Sequence, residues 1–230
     1  MFVSVPVRSG APPRWATPLL SVLLWAAFVW ALSRPDAWQR ALMLEWGALA
    51  GGIPGAGPWE TWTDPQQWAR LVTALFLHAD WAHLLGNLVF LLIFGLPAER
   101  VMGPWRFLAL FFFGGALANL FAVLVIGAPD RLIIGASGAV SAVIGAYLAL
   151  FPRARLGVVV PLGLFLEFVR APASLLIGVW AALQIVFAYI GPAFGAVAWA
   201  AHAAGFLFGI VFAIGSRGAI ARRLRRMQGY

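Results

Sequence analysis

The sequence predicts an all-α membrane protein, a bundle of six transmembrane helices with one long outer connection between the first and the second. Three observations lead there. Of the 230 residues 63% are apolar and only 10% charged, far fewer charges than the roughly one quarter of a soluble domain. Apolar runs of near-spanning length recur six times, each close to the roughly 20 residues that cross a bilayer. The sixteen basic residues are all Arg, and they fall between those runs and in a terminal 221-ARRLRR-226. A net charge of +8 distributed in this way points to anionic lipid headgroups and not to nucleic acid. Cysteine is absent, which excludes disulfides, thiolate catalysis and zinc–thiolate sites, so chemistry must come from Ser, His, Asn, carboxylates or Arg.

A short tail, residues 1–16, precedes the first apolar run at 17–33. A basic lead and 31-ALS-33 would also suit a signal peptide, but the run is long for one and no clean small-x-small site follows. The outer connection reaches to about residue 75 and carries Trp38, Trp46, Trp59, Trp62 and Trp68 around the Gly-rich 50-AGGIPGAG-57. Indole rings favour the water–lipid boundary, so this stretch is expected to lie partly within the outer leaflet as an anchor. The second run, 83–96, is short, and a start nearer Leu75 would take His78 and His83 into or beside the helix. The remaining runs are 107–127, 135–151, 174–191 and 196–215, followed by a basic tail at 217–230. The membrane domain is thus 17–216. With the N-terminus inside, twelve Arg lie on inner segments and four on outer ones, so both termini are expected to be cytoplasmic.

Polar side chains in lipid are costly and face a bundle interior or a wet cavity. The positions that qualify are His78, His83, Asn87, Asn119, Ser137, Ser141, Gln184 and His202. In 83-HLLGN-87 the His and Asn share a helix face; taken alone they read as an interhelical hydrogen-bond clamp, and His78 as an interface residue. In 201-AHAAGFLFG-209, Gly205 and Gly209 clear a groove for a close helix, with His202 one turn earlier on nearly the same stripe. The natural partner is 132-LIIGASGAVSAVIGAYLALF-151, where Gly138, Ala142 and Ala146 make one small stripe and Ser137, Ser141 and Gly145 the adjoining one. Ser137, flanked by Gly135 and Gly138, falls where a helix begins and its N–H groups are unpaired. Were His202 to reach it, the imidazole could take the hydroxyl proton, and Ser137 N–H, Asn87 and His83 could hold an oxyanion. Simple helix packing by the same Ser and Gly residues is open at this point.

Taken together, 78-HADWAHLLGN-87, 95-GLPAERVMG-103, 135-GASG-138 and 201-AHAAGFLFG-209, in this order over about residues 70–209, resemble the rhomboid family of intramembrane serine proteases. The resemblance implies a Ser137–His202 dyad, an oxyanion hole completed by His83 and Asn87, and no metal or nucleotide cofactor. It implies that Glu99 ties down the inner end of the second span between Gly95 and Gly103, and that Arg70 braces the outer loop. Substrates would be transmembrane segments of other proteins, cut near the outer face of a bacterial cytoplasmic membrane, with lipids as the other partner. Two positions depart from the pattern. Many members have adjacent Trp-Arg where this chain has 68-WAR-70, and many have Phe or Tyr, able to pack on the catalytic imidazole, where this chain has Ser141. Three rivals stand beside this reading. They are a catalytically inactive client-binding relative, a transporter, which should show inverted repeats and intramembrane charge, and a zinc site of His78, His83 and His202.

Overall fold

The computed structural model describes residues 14–49, 63–125, 131–162, 165–190 and 199–228. The protein is mostly helical. Helix α1, Ala16–Leu32, is about 25 Å long at 1.5 Å per residue, slightly short of a hydrocarbon core. Aromatic rings bracket it. At one end Trp15 packs edge-on against Trp105 with centroids 5.3 Å apart; at the other Trp30 meets Trp38 at 5.0 Å, with the Arg34 guanidinium over both rings. These are the amphipathic groups that settle at the two membrane boundaries.

The outer connection is built and anchored. Helix α2, Asp36–Trp46, buries none of its residues. A two-residue strand, β1 (Ala48–Leu49), pairs antiparallel with β2 (Leu132–Ile133). Helix α3, Pro65–Thr73, starts with Pro in its first turn and with Asp64 accepting from Gln66 N–H, both standard ways of meeting unpaired first-turn groups. Two side chains then tie it down: Thr73 Oγ1 donates to the Trp46 carbonyl at 2.7 Å, and Asn119 Nδ2 donates to the Leu71 carbonyl at 2.9 Å. Trp68 is half exposed. The expected Gly-rich stretch, with Trp59 and Trp62, lies outside the described residues.

Helix α4 (Trp81–Phe90), a π turn (Leu91–Gly95) and α5 (Leu96–Met102) run on as one span. It begins at Trp81 and not near Leu75, because the chain turns through Ala74–Phe76 and Asp80 caps the new helix by accepting from His83 N–H at 2.8 Å. His78 is therefore left in the connecting loop. Helix α6 (Pro104–Val125) leads to α7 (Ser137–Leu150), α8 (Ala173–Ile190) and α9 (Trp199–Gln228). Helix α7 is the axis of the bundle, buried from Gly138 through Tyr147. Among the described residues three helices are long and apolar enough to cross a membrane, namely Trp81–Met102, Pro104–Val125 and Trp199–Met227, and three shorter apolar helices accompany them. Large apolar side chains such as Leu124, Leu207 and Val211 point outward, as lipid allows. The chain is an integral membrane protein.

The mostly helical expectation holds, and among the described residues two strand pairs depart from it. One is the short β1–β2 pair. The other is an antiparallel hairpin of β3 (Arg155–Leu162) and β4 (Phe165–Pro172), in register from Arg155↔Pro172 to Leu162↔Phe165. The hairpin carries Val158, Val159 and Val160 on one strand and Phe165 and Phe168 on the other, the β-branched and aromatic residues that strands favour.

Candidate active site

The site lies where α7 and α9 begin, under the loop before α4. The two helices touch backbone to backbone. A Cβ at Gly205 would strike the Gly138 carbonyl, one at Gly209 the Ala142 carbonyl, and one at Gly145 the Phe206 carbonyl. Gly138 is closed from behind as well, since its Cβ would lie 2.8 Å from that of Ala118 on α6. Small residues thus remove the side-chain spacers that normally hold helices 8–10 Å apart, and His202 reaches across. Its Nε2 is 2.7 Å from Ser137 Oγ.

The other ring nitrogen is held too. His202 Nδ1 lies 2.6 Å from Gln184 Oε1 on α8, a group whose side chain is 8% exposed. A carbonyl oxygen can only accept, so Nδ1 carries the proton and Nε2 presents its lone pair to the hydroxyl. Trp199, one turn before His202 on α9, sets its ring edge-to-face against the imidazole at 5.7 Å. Ser141 does not approach the imidazole; its Oγ donates back to the Ser137 carbonyl at 2.7 Å. The aromatic contact missing at 141 is supplied from the histidine's own helix.

Backbone geometry prepares the neighbourhood of Ser137. Gly135 has φ +107, and a Cβ there would collide with the His83 ring; both the backbone conformation and the space demand glycine. Its N–H is fixed to the Ala74 carbonyl at 2.8 Å. Val140 N–H bonds to the Ala136 carbonyl, so Ser137 N–H falls in the unpaired, electropositive first turn of α7. Asn87 Nδ2 lies 3.1 Å from His78 Nε2, which also accepts from Ala136 N–H at 3.4 Å. An amide nitrogen has two N–H groups, so the second is available to the cavity. His83, Asn87, Ser137, Gln184 and His202 all line one cavity of about 680 Å³, which reaches the surface beside the exposed Asp80.

The sequence brought Ser137, His202, His83, Asn87 and the four glycines forward, and the fold gathers them at one end of the bundle. Two other expected residues stand apart. Glu99, 1% exposed, accepts from Ala16 N–H at 2.9 Å and Thr17 N–H at 2.8 Å. The tie it makes is a carboxylate cap on α1 at the end of the bundle away from Ser137. Arg70 is partly buried on α3, and among the described residues its Nε and Nη1 have no hydrogen-bond partner; burial lowers its pKa from the usual arginine value. Gln184, Trp199 and His78 acquire roles that the sequence did not assign. For Gln184 the available signal was a lone amide in an apolar run, which must find a polar partner in lipid. Among the described residues no three His, Asp or Glu converge as a metal site would require.

Residues 65–218 match the rhomboid domain family. The chain belongs to the rhomboid family. Relatives of this rhomboid include YdcA of Bacillus subtilis, 37% identical over 82 residues. Rhomboid-like protein 11 of Arabidopsis thaliana, named as chloroplastic, is 44% identical over 73 residues, and Rhomboid-like protease 3 of Toxoplasma gondii is 37% identical over 111 residues. The matches cover 36%, 32% and 48% of this chain and 41%, 26% and 38% of the respective relatives, so the chain spans less than half the length of each. Rhomboids named as inactive, from Arabidopsis thaliana and Drosophila melanogaster, are also similar to it.

Proposed function

We propose that this rhomboid is an intramembrane serine endopeptidase that cuts a transmembrane segment of another membrane protein near the outer face, using Ser137 and His202. The observation that carries the reading is the 2.7 Å contact between His202 Nε2 and Ser137 Oγ inside a cavity that reaches the surface. Ser137 Oγ bonds to the scissile carbonyl carbon as its proton passes to His202 Nε2. The resulting oxyanion is stabilised by Ser137 N–H, the free N–H of Asn87 and the ring of His83. The C–N bond then breaks, and the amine leaves with the proton from His202. Water entering the cavity repeats the steps on the acyl-enzyme, again through His202, and restores Ser137. Because a helical substrate shields its own carbonyls, cleavage is expected where Gly or Pro lets the helix unwind.

The reading extends to the rest of the chain. Residues 17–216 form a domain of six spans, between an N-terminal tail at 1–16 and a basic C-terminal tail at 217–230. Both termini face the cytoplasm of a bacterium, in its cytoplasmic membrane, supported by the twelve-to-four Arg distribution. Arg70 braces the outer loop. A second reading, a non-catalytic rhomboid that binds membrane clients, is favoured by the inactive relatives. Reconstituted protein with a transmembrane substrate separates the two: turnover abolished by Ser137→Ala with the thermal midpoint retained supports the protease. A folded native chain that neither cleaves nor reacts with a serine-directed fluorophosphonate supports the client-binding reading.

A further inference from the structure

At the far end of the bundle from Ser137, the last turns of α9 and the first turn of α6 border a second, open cavity of about 460 Å³. Arg106, Arg222, Arg223 and Arg226 line it together with Ala219 and Met227. Among the described residues no acidic side chain lines it. Glu99, one turn before Gly103, already gives both carboxylate oxygens to the first turn of α1. Arg106 and Arg223 are partly buried, while Arg222 and Arg226 are exposed. The Arg223 guanidinium passes so close to Gly103 that a Cβ there would lie 2.9 Å from its Cζ, and its Nε is buried without a partner among the described residues. A buried guanidinium N–H left unpaired is costly, and four guanidiniums around one space repel one another unless an anion joins them.

Position identifies the anion's source. Trp105, adjacent to Arg106, is 75% exposed and stacks edge-on with Trp15, so this cavity opens at the level of a membrane boundary. Planar guanidiniums suit phosphate oxygens. We propose that the cavity is a binding site for the phosphate headgroup of an anionic glycerophospholipid, clamped between α6 and α9. A bound phosphate would hold the C-terminal turns of α9 to the start of α6, and so steady the helix that carries His202 at its other end.

The test uses the full chain in detergent, with the thermal unfolding midpoint followed as phosphatidylglycerol, phosphatidylcholine or inorganic phosphate is added. Phosphatidylglycerol should raise the midpoint saturably, while phosphatidylcholine and millimolar phosphate should leave it in place. Arg222 and Arg226 are exposed, so the double variant Arg222→Gln/Arg226→Gln should fold, react with fluorophosphonate, and bind phosphatidylglycerol about 30-fold more weakly. The double variant Arg217→Gln/Arg225→Gln removes the same charge outside the cavity and should keep the native response. Equal weakening by the two double variants would overturn the site in favour of diffuse surface charge. Stabilisation by phosphatidylcholine, or by inorganic phosphate to the same degree as the lipid, would overturn the assignment to an anionic headgroup.

Discussion

Replacing Gln184 by Met removes the acceptor on His202 Nδ1 while keeping the length and apolar bulk of the side chain. The contact is short, 2.6 Å, and Gln184 is 8% exposed, so water cannot easily take its place. In the proposed mechanism His202 becomes an imidazolium, and a hydrogen bond to a charged group contributes about 1.5–3 kcal/mol. At about 1.36 kcal/mol per factor of ten, kcat should fall about 10- to 100-fold. The hydrogen bond of Gln184 is to His202 Nδ1, so its loss should act on the proton-transfer step and leave KM within about twofold. Gln184→Glu keeps an acceptor oxygen at the same reach and should retain most of the native kcat. Steady-state cleavage of a reconstituted transmembrane substrate reads both constants. A native kcat in Gln184→Met, or equal losses in the Met and Glu variants at unchanged folding, would refute the claim that this oxygen orients the base.

Asn87→Ala removes a donor from the proposed oxyanion site and should lower kcat about 10²- to 10³-fold, measured in the same assay; a change confined to KM would assign Asn87 to substrate binding instead. Gly209→Val places bulk against the Ala142 backbone and should force α7 and α9 apart, lowering stability by about 1–3 kcal/mol and abolishing fluorophosphonate labelling of Ser137. Gly178→Ala, where nothing lies within 4 Å of an added Cβ, should leave both readouts unchanged. Glu99→Ala strips the first turn of α1 of its acceptors and should cost about 2–4 kcal/mol, seen as a lower thermal midpoint. Cleavage well below that midpoint should persist, because the cap lies at the opposite end from Ser137.

Much of the site is legible because close helix packing leaves a local mark. Gly205 and Gly209 recur at a helical spacing, as do Gly138 and Ala142, and stripes of this kind can serve only where backbones meet. That is why the two helices could be matched across the sequence, while the pairing of Ser137 with His202 is what the resemblance to the rhomboid family implies. Gln184 was equally visible as a polar group, but nothing in its own segment says which way α8 turns it. The same holds for Ser141, which stands where an aromatic residue is common and instead bonds its own helix, while Trp199 takes the contact. Glu99 was expected to secure its own span, and its partner proved to be α1, more than eighty residues earlier in the chain. The hairpin of β3 and β4 is marked in the sequence only by the short β-branched run Val158–Val160, which by length alone fits a strand or a buried helix segment equally well.

By itself the sequence determined that the chain lives in a membrane, roughly where its apolar runs lie, and which two of them carry small-residue stripes fit for close contact, because apolar length and small-residue periodicity are properties of single segments. Only the tertiary structure decided which side chain satisfies which. Hydrogen-bond partners in a bundle depend on the rotation and axial offset of each helix against its neighbours, and a shift of one residue turns an α-helical side chain by about 100°. The identity of the group behind His202, the cap on α1 and the convergence of four arginines on one cavity all follow from those offsets.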